Sequence, residues 1–161
     1  MADHLAWEND GPPLSRADID EAERLLGIRF PDDHRKLLES RDGGGMQPNY
    51  FKPTDPAGLD HFDWIELSFL CRLSPEHIQS KINRFSYRGL LEQNDDAWNA
   101  PADAIIIALA DYGDCVLFYH RDTPEAGIFG KTIEEEAEPA EGVRVASSLT
   151  EILEALTTFE G

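Results

Sequence analysis

LSRADIDEAERLLGIRFPDDHRKLLESRDGGG, residues 14–45, reads as two helices joined by a short apolar link. Ser15 is placed to cap a first turn, and Asp18, three residues on, to reach back to it. Leu14 before the cap and Ile19 after it suit a hydrophobic staple. Ile19, Ala22 and Leu26 share one face, Asp20, Glu21 and Arg24 point to solvent, and Gly27 stops the helix. Pro31 opens the second helix, with Asp32 and Asp33 against its positive dipole end. His34, Leu37, Leu38 and Arg41 then follow one stripe.

Three glycines, Gly43 to Gly45, close the stretch and pose a chemical question. A phosphate-cradling loop follows a strand and leads into a helix whose N-terminus faces the anion. These glycines follow a helix and lead into prolines, with no GK[ST] and no GxGxxG beside them. They are therefore expected to end the helix, Gly43 taking the positive φ.

Outward from there, residues 43–63 read as one long irregular loop, with Tyr50 and Phe51 among its prolines. Ile65, Leu67 and Phe69 alternate with Glu66 and Ser68, the period of a half-buried strand. SPEHIQSKINRFSYRG (74–89) repeats the helix grammar, with Ser74 as cap, Ile78, Ile82 and Phe85 inward, and Gly89 at the end. AIIIALA (104–110) and CVLFYH (115–120) flank DYGD and predict a hairpin. GIFGKTI (127–133) and VRVA (143–146) add two strands. Ser148 and Glu151 form a capping box for a last helix with Leu149, Ile152, Leu153 and Leu156 as its seam. Each such cap contributes about 1 kcal/mol. The order predicts a single α+β domain over 1–161, with about four helices, an antiparallel-rich mixed sheet and a short N-terminal extension at 1–13.

The 161 residues are enough to bury roughly two thirds of the unfolded surface. Fourteen Lys and Arg against 32 Asp and Glu leave a net charge of −18. That field repels nucleic acid and anionic membrane and speeds encounter with basic partners. No apolar run approaches the roughly 20 residues that cross a bilayer. The start, MADHLAWENDGPP, lacks the basic and apolar parts of a signal peptide, so the cytoplasm is expected. Cys71 and Cys115, without CxxC spacing, fit that compartment as reduced thiols.

The chemical signatures are thin. HRD at 120–122 matches a kinase catalytic loop in letters only, since no glycine-rich loop or DFG accompanies it. Asp60, His61 and Asp63 in DHFD are the one thinkable metal cluster, and a polar loop anchored by Phe62 and Trp64 accounts for them better. No GxSxG elbow, Cys–His pair or patterned carboxylate pair appears, so no catalytic residue, metal or cofactor is expected.

Residues 14–45 also resemble the SUKH superfamily, which joins fungal cell-wall-synthesis regulators of the Smi/Knr type with bacterial toxin-immunity proteins. The matching positions are Leu26-Gly27, Ile28-Arg29-Phe30-Pro31 and Asp42-Gly43-Gly44-Gly45. The hairpin at 104–120 and the closing VRVASSLTEILEAL follow in family order, so the likeness spans about 14–157. It departs in a short Asp111–Asp114 turn and in GIFGKTIEEE where an aromatic strand is common. The resemblance implies a non-enzymatic binding protein: an immunity protein that neutralises a cognate toxin domain, many such toxins being nucleases. A Smi/Knr-type regulatory scaffold is the alternative. A nuclease must present Lys and Arg to phosphates, and an acidic inhibitor can occupy that surface. The partner contacts are expected in the acidic strips, at Asp95, Asp96, Glu134, Glu135 and Glu136, with Trp98 and Tyr50 as aromatic anchors.

Overall fold

The computed structural model describes residues 4–59, 62–79, 101, 103–111, 114–132 and 142–158. Strand β1 (Ala6–Glu8) precedes helices α1 (Arg16–Leu26) and α2 (Asp32–Ser40). Then come β2 (Gly45–Gln47), β3 (Tyr50–Phe51), the short α3 (Pro56–Leu59), β4 (Ile65–Leu70) and α4 (Pro75–Gln79). The hairpin β5 (Ala104–Ala110) and β6 (Cys115–His120) follows, then β7 (Ile128–Thr132), β8 (Val143–Ala146) and α5 (Leu149–Ala155). The anticipated helix over 74–89 is described only to Gln79; Ile82, Phe85 and Gly89 lie outside the described residues.

The caps work as the residue types require. Ser15 Oγ accepts the Asp18 N–H at 3.1 Å, and Gly27 takes φ 69° with its N–H on the Glu23 carbonyl. Ser148 Oγ accepts the Glu151 N–H at 3.1 Å. The return half of that box is diverted, because the Glu151 carboxylate takes the hydroxyls of Thr54 and Ser147 instead. Helix α2 begins one residue later than expected, with Pro31 as its cap. Its His34, Leu37 and Leu38 are buried, whereas Arg41 lies past its end with its guanidinium 4.4 Å from the Trp7 ring.

The sheet is a meander. Strands β3 to β8 lie side by side in chain order, and every pairing among the described strands is antiparallel. Leu117 stands opposite Gly130, and Tyr119 opposite Ile105. One core cluster joins Ile19, Leu26, Phe30 and Leu38 of the helical pair to Ile105, Leu117 and Tyr119 of the sheet and to Ile152 of α5. Residues 6–8 pair with β2, and Gly11 pairs with Asp42, so residues 6–11 run alongside the glycine stretch.

Three expectations are corrected. The glycine triplet does not cap α2, which stops at Ser40 with Arg41 in extended conformation. Gly43 (φ 71°) is needed for close approach: a Cβ there would lie 2.6 Å from the Leu70 carbonyl oxygen. Strand β4 is not half-buried, since Glu66 is only 9% exposed. The stretch 43–63 is not one irregular loop. It holds β2, β3 and α3, and it ties the ends of the sheet together. Tyr50 of β3 exchanges backbone hydrogen bonds with Thr157 at 3.1 and 2.7 Å. Four residues on, the N–H groups of Thr54 and Asp55 both reach the Val145 carbonyl of β8. One short segment therefore forms one edge of the meander, where Thr157 covers Tyr50, and takes up the Val145 carbonyl at the other, which limits the template for edge-to-edge association.

Candidate partner interface

Most of the expected partner contacts, Asp95, Asp96, Trp98, Glu134, Glu135 and Glu136, lie outside the described residues, as do Asp60 and His61. Tyr50 is half-buried in β3, and its hydroxyl donates to Glu66 Oε2 at 3.0 Å. Glu66 Oε1 accepts a long contact from Asn49 Nδ2, and the Glu66 N–H donates to Asp111 Oδ1 at 2.9 Å. Burial, followed by the charges of Glu66 and Asp114, raises the Asp111 pKa against the hydrogen bond that lowers it.

The groups with chemical potential are tied up in architecture. His34 Nδ1 lies 2.9 Å from the Tyr119 hydroxyl, and burial lowers its pKa to about 4, so the ring is neutral. Cys71 and Cys115 are buried thiols outside any disulfide, and burial raises the Cys71 thiol far from the thiolate a nucleophile needs. His120 and Arg121 of HRD brace the fold. His120 Nδ1 meets Asp103 Oδ2 at 2.9 Å, and Arg121 Nε donates to the Leu26 carbonyl at the end of α1. Among the described residues no three His, Cys, Asp or Glu side chains gather as a metal would require.

Asp42 is the functional-looking residue that sequence reasoning passed over. Its buried carboxylate accepts the Leu73 N–H at 2.6 Å and the Ser74 N–H at 3.2 Å, fixing the start of α4. Burial raises its pKa, which those two donors partly offset. Its place directly before the glycines was the available signal.

The described surface around helices α1 and α2 and the link between them is indented. Three open depressions flank the link. The largest, about 550 Å³, is lined by Asp20, Glu23, Arg24 and Arg35. Its charges are internally matched: Arg35 holds Asp20 at 3.1 Å and also Glu23, whose other oxygen accepts the Phe30 N–H at 2.7 Å. A second, about 320 Å³, has Pro31, Asp32, Pro124 and Glu125 in its lining. The third, of similar volume, lies among Arg16, Asp32, Lys36 and Glu39. All are shallow, and none encloses a small molecule as a catalytic cleft does.

The described residues contain no helix long and apolar enough to cross a membrane. No curated protein shows a significant match to the chain. A model of the SMI1 / KNR4 family (SUKH-1) matches residues 13–155, from the residue before the α1 staple to the last residue of α5. With the capped helical pair, the glycine approach and the antiparallel meander in place over that span, the chain belongs to the SMI1 / KNR4 family (SUKH-1).

Proposed function

We propose that this chain is an immunity protein that binds and neutralises a cognate toxin domain with a basic surface. The observation that carries the reading is a net charge of −18 on a SUKH-1 frame whose described histidines are engaged in hydrogen bonds within the fold and whose cysteines are buried. A toxin that cleaves nucleic acid presents cations to phosphates, and an acidic protein competes for that surface. Long-range attraction raises the encounter rate, and local contacts then set the residence time. The acidic strips LEQNDD and EEEAEPAE, with Trp98 as an aromatic anchor, are proposed as contacts. The protein acts in the cytoplasm of the cell that makes the toxin, without cofactor, nucleic acid or membrane. It performs no chemistry of its own.

Co-expression with the product of the neighbouring gene, chosen for a basic C-terminal domain, tests the reading. The expected result is co-purification at about 50 mM salt, weakening as screening increases, and rescue of cells from that domain's toxicity. Absence of association with every basic neighbour at low salt, together with absence of rescue, overturns it.

A further inference from the structure

Residues 4–11 precede the span that the family model matches, yet residues 6–11 run along β2 and the glycine stretch. Their hold is mainly polar. No side chain from His4 to Asp10 is fully buried, and Leu5 and Trp7 only lie against the core. Arg41 makes two of the contacts: its guanidinium lies 4.4 Å from the Trp7 ring and donates to Asp10 Oδ2 at 3.2 Å. Arg72 Nη2 donates to the Asn9 carbonyl at 2.7 Å, and Gly11 exchanges backbone hydrogen bonds with Asp42 at 3.0 and 3.1 Å. This seat has a cost. Arg72 Nε is buried without a hydrogen-bond partner among the described residues, and Gly11 packs near it, a Cβ there lying 3.6 Å from that nitrogen. A buried donor left unpaired disfavours the closed position, because water satisfies it once the segment lifts. Pro12 and Pro13, both exposed, join the segment to Leu14, whose N–H is fixed on the Leu38 carbonyl at 2.9 Å.

Asp42 lies beneath the end of this segment and faces two ways. Its backbone holds Gly11, and its carboxylate holds the Leu73 and Ser74 N–H groups at 2.6 and 3.2 Å, where α4 begins. Asp42 is only 1% exposed, and a Cβ at Gly11 would lie 2.8 Å from its carbonyl oxygen, so the segment closes tightly over it. We propose that residues 4–11 are a releasable strap, latched by Arg41, whose seating on Asp42 sets how firmly the start of α4 is held. The strap belongs to the least stable part of the molecule, because exposed polar contacts and no fully buried side chain secure it. When it lifts, water reaches Asp42 and competes for the carboxylate, and the Leu73 and Ser74 amides lose part of their hold. Helix α4 leads in sequence toward LEQNDD and Trp98. The strap itself rests on the geometry and not on the toxin-binding reading.

Amide hydrogen exchange on the full ¹⁵N-labelled chain tests it. Trp7→Ala and Asp10→Asn loosen the strap from its own side, and Arg41→Ala loosens it from the other. The Gly11 and Asp42 amides report the seat, and the Leu73 and Ser74 amides report the start of α4. The Gly44 and Leu70 amides, bonded to each other's carbonyls at 3.0 and 2.8 Å between the glycine stretch and β4, serve as the control. Trp7→Ala and Arg41→Ala are expected to speed exchange at the seat by about tenfold, and Asp10→Asn by roughly two- to threefold. Leu73 and Ser74 are expected to follow in step, while Gly44 and Leu70 keep their wild-type rates. Faster exchange at Gly11 and Asp42 with Leu73 and Ser74 unchanged overturns the coupling to α4. Equal acceleration at Gly44 and Leu70 overturns the strap as a separate unit, and unchanged rates throughout overturn the latch. Asp10 is exposed, so Asp10→Asn preserves the fold and decides between these outcomes should either larger truncation unfold the chain.

Discussion

Asp33 on α2 accepts the backbone N–H of Thr150, in the first turn of α5, at 2.8 Å. Its other oxygen takes the N–H of His34 at 2.8 Å. One carboxylate thus stabilises two helix starts that are far apart in sequence, each through unsatisfied N–H groups at a positive dipole end. Asp33→Ala is expected to cost about 1–2 kcal/mol, by analogy with the loss of a helix cap. Asp33→Asn is expected to cost less, because it keeps one acceptor. Urea unfolding measures both, and faster hydrogen exchange at the Thr150 amide would locate the loss on α5.

The next partner along α2 gives the protein an acid-sensitive core. His34 is buried against Phe30 and Tyr119, and its pKa falls to about 4 chiefly because burial disfavours the charged ring. In the unfolded chain the ring titrates near 6.5. The folded pKa is depressed, so the contribution is full above pH 6.5 and is lost as pH falls toward 4, where it amounts to about 3 kcal/mol. The raised carboxylate of Asp42 works in the opposite direction, its contribution being greatest in acid and lost as pH rises. Comparing the wild type with His34→Phe cancels that background. The stability gap between them is expected to shrink by about 2–3 kcal/mol between pH 7 and pH 4.5. A gap independent of pH would show the ring to be solvated.

Two glycines of similar φ separate conformational strain from collision. Gly27 (φ 69°) has open surroundings, since a Cβ there first meets the flexible Arg121 side chain at 3.5 Å. Gly43 (φ 71°) is enclosed, with backbone atoms of Leu70 and Cys71 at 2.6 to 2.8 Å from the same position. Gly27→Ala is expected to cost about 1 kcal/mol from the left-handed backbone alone. Gly43→Ala must also push β4 away from the glycine stretch, and is expected to cost at least about 2 kcal/mol more. Thermal denaturation of both variants decides it; equal losses would mean that Leu70 yields freely.

The pattern of success and failure along the chain has a physical cause. α1 and β5 to β8 were legible because their signals are local: Ser15 needs only Asp18, and the AIIIALA–DYGD–CVLFYH hairpin needs only its turn. The glycine stretch misled because its reason is distant. Nothing within residues 42–46 tells that Leu70 and Asp10 press against them. Glu66 read as a solvent-facing residue by period alone, yet Asn49, Tyr50 and Asp111 close over it. The partner contacts proposed in the acidic strips carried only a compositional signal, which names a charge and not a place.

The closure of the sheet yields the last prediction. Segment 50–58 reaches β8 because Gly58 lets it: a Cβ there would lie 2.6 Å from Pro53 Cβ and 2.9 Å from the Arg144 carbonyl oxygen. Gly58 carries no positive φ, so any penalty comes from space alone. Gly58→Ala must lift α3 from β8, and it then strains the two hydrogen bonds that Thr54 and Asp55 give to Val145 at 2.9 and 3.3 Å. We expect a loss of about 1–3 kcal/mol and faster hydrogen exchange at the Thr54 and Asp55 amides. Exchange at the Tyr50–Thr157 pair should change less, because Thr157 belongs to the segment after α5 and not to β8. The freed Val145 carbonyl restores an open strand edge, so the variant is also expected to self-associate on warming, measured by light scattering. Unchanged exchange and scattering would mean that the β8 edge is covered without this segment.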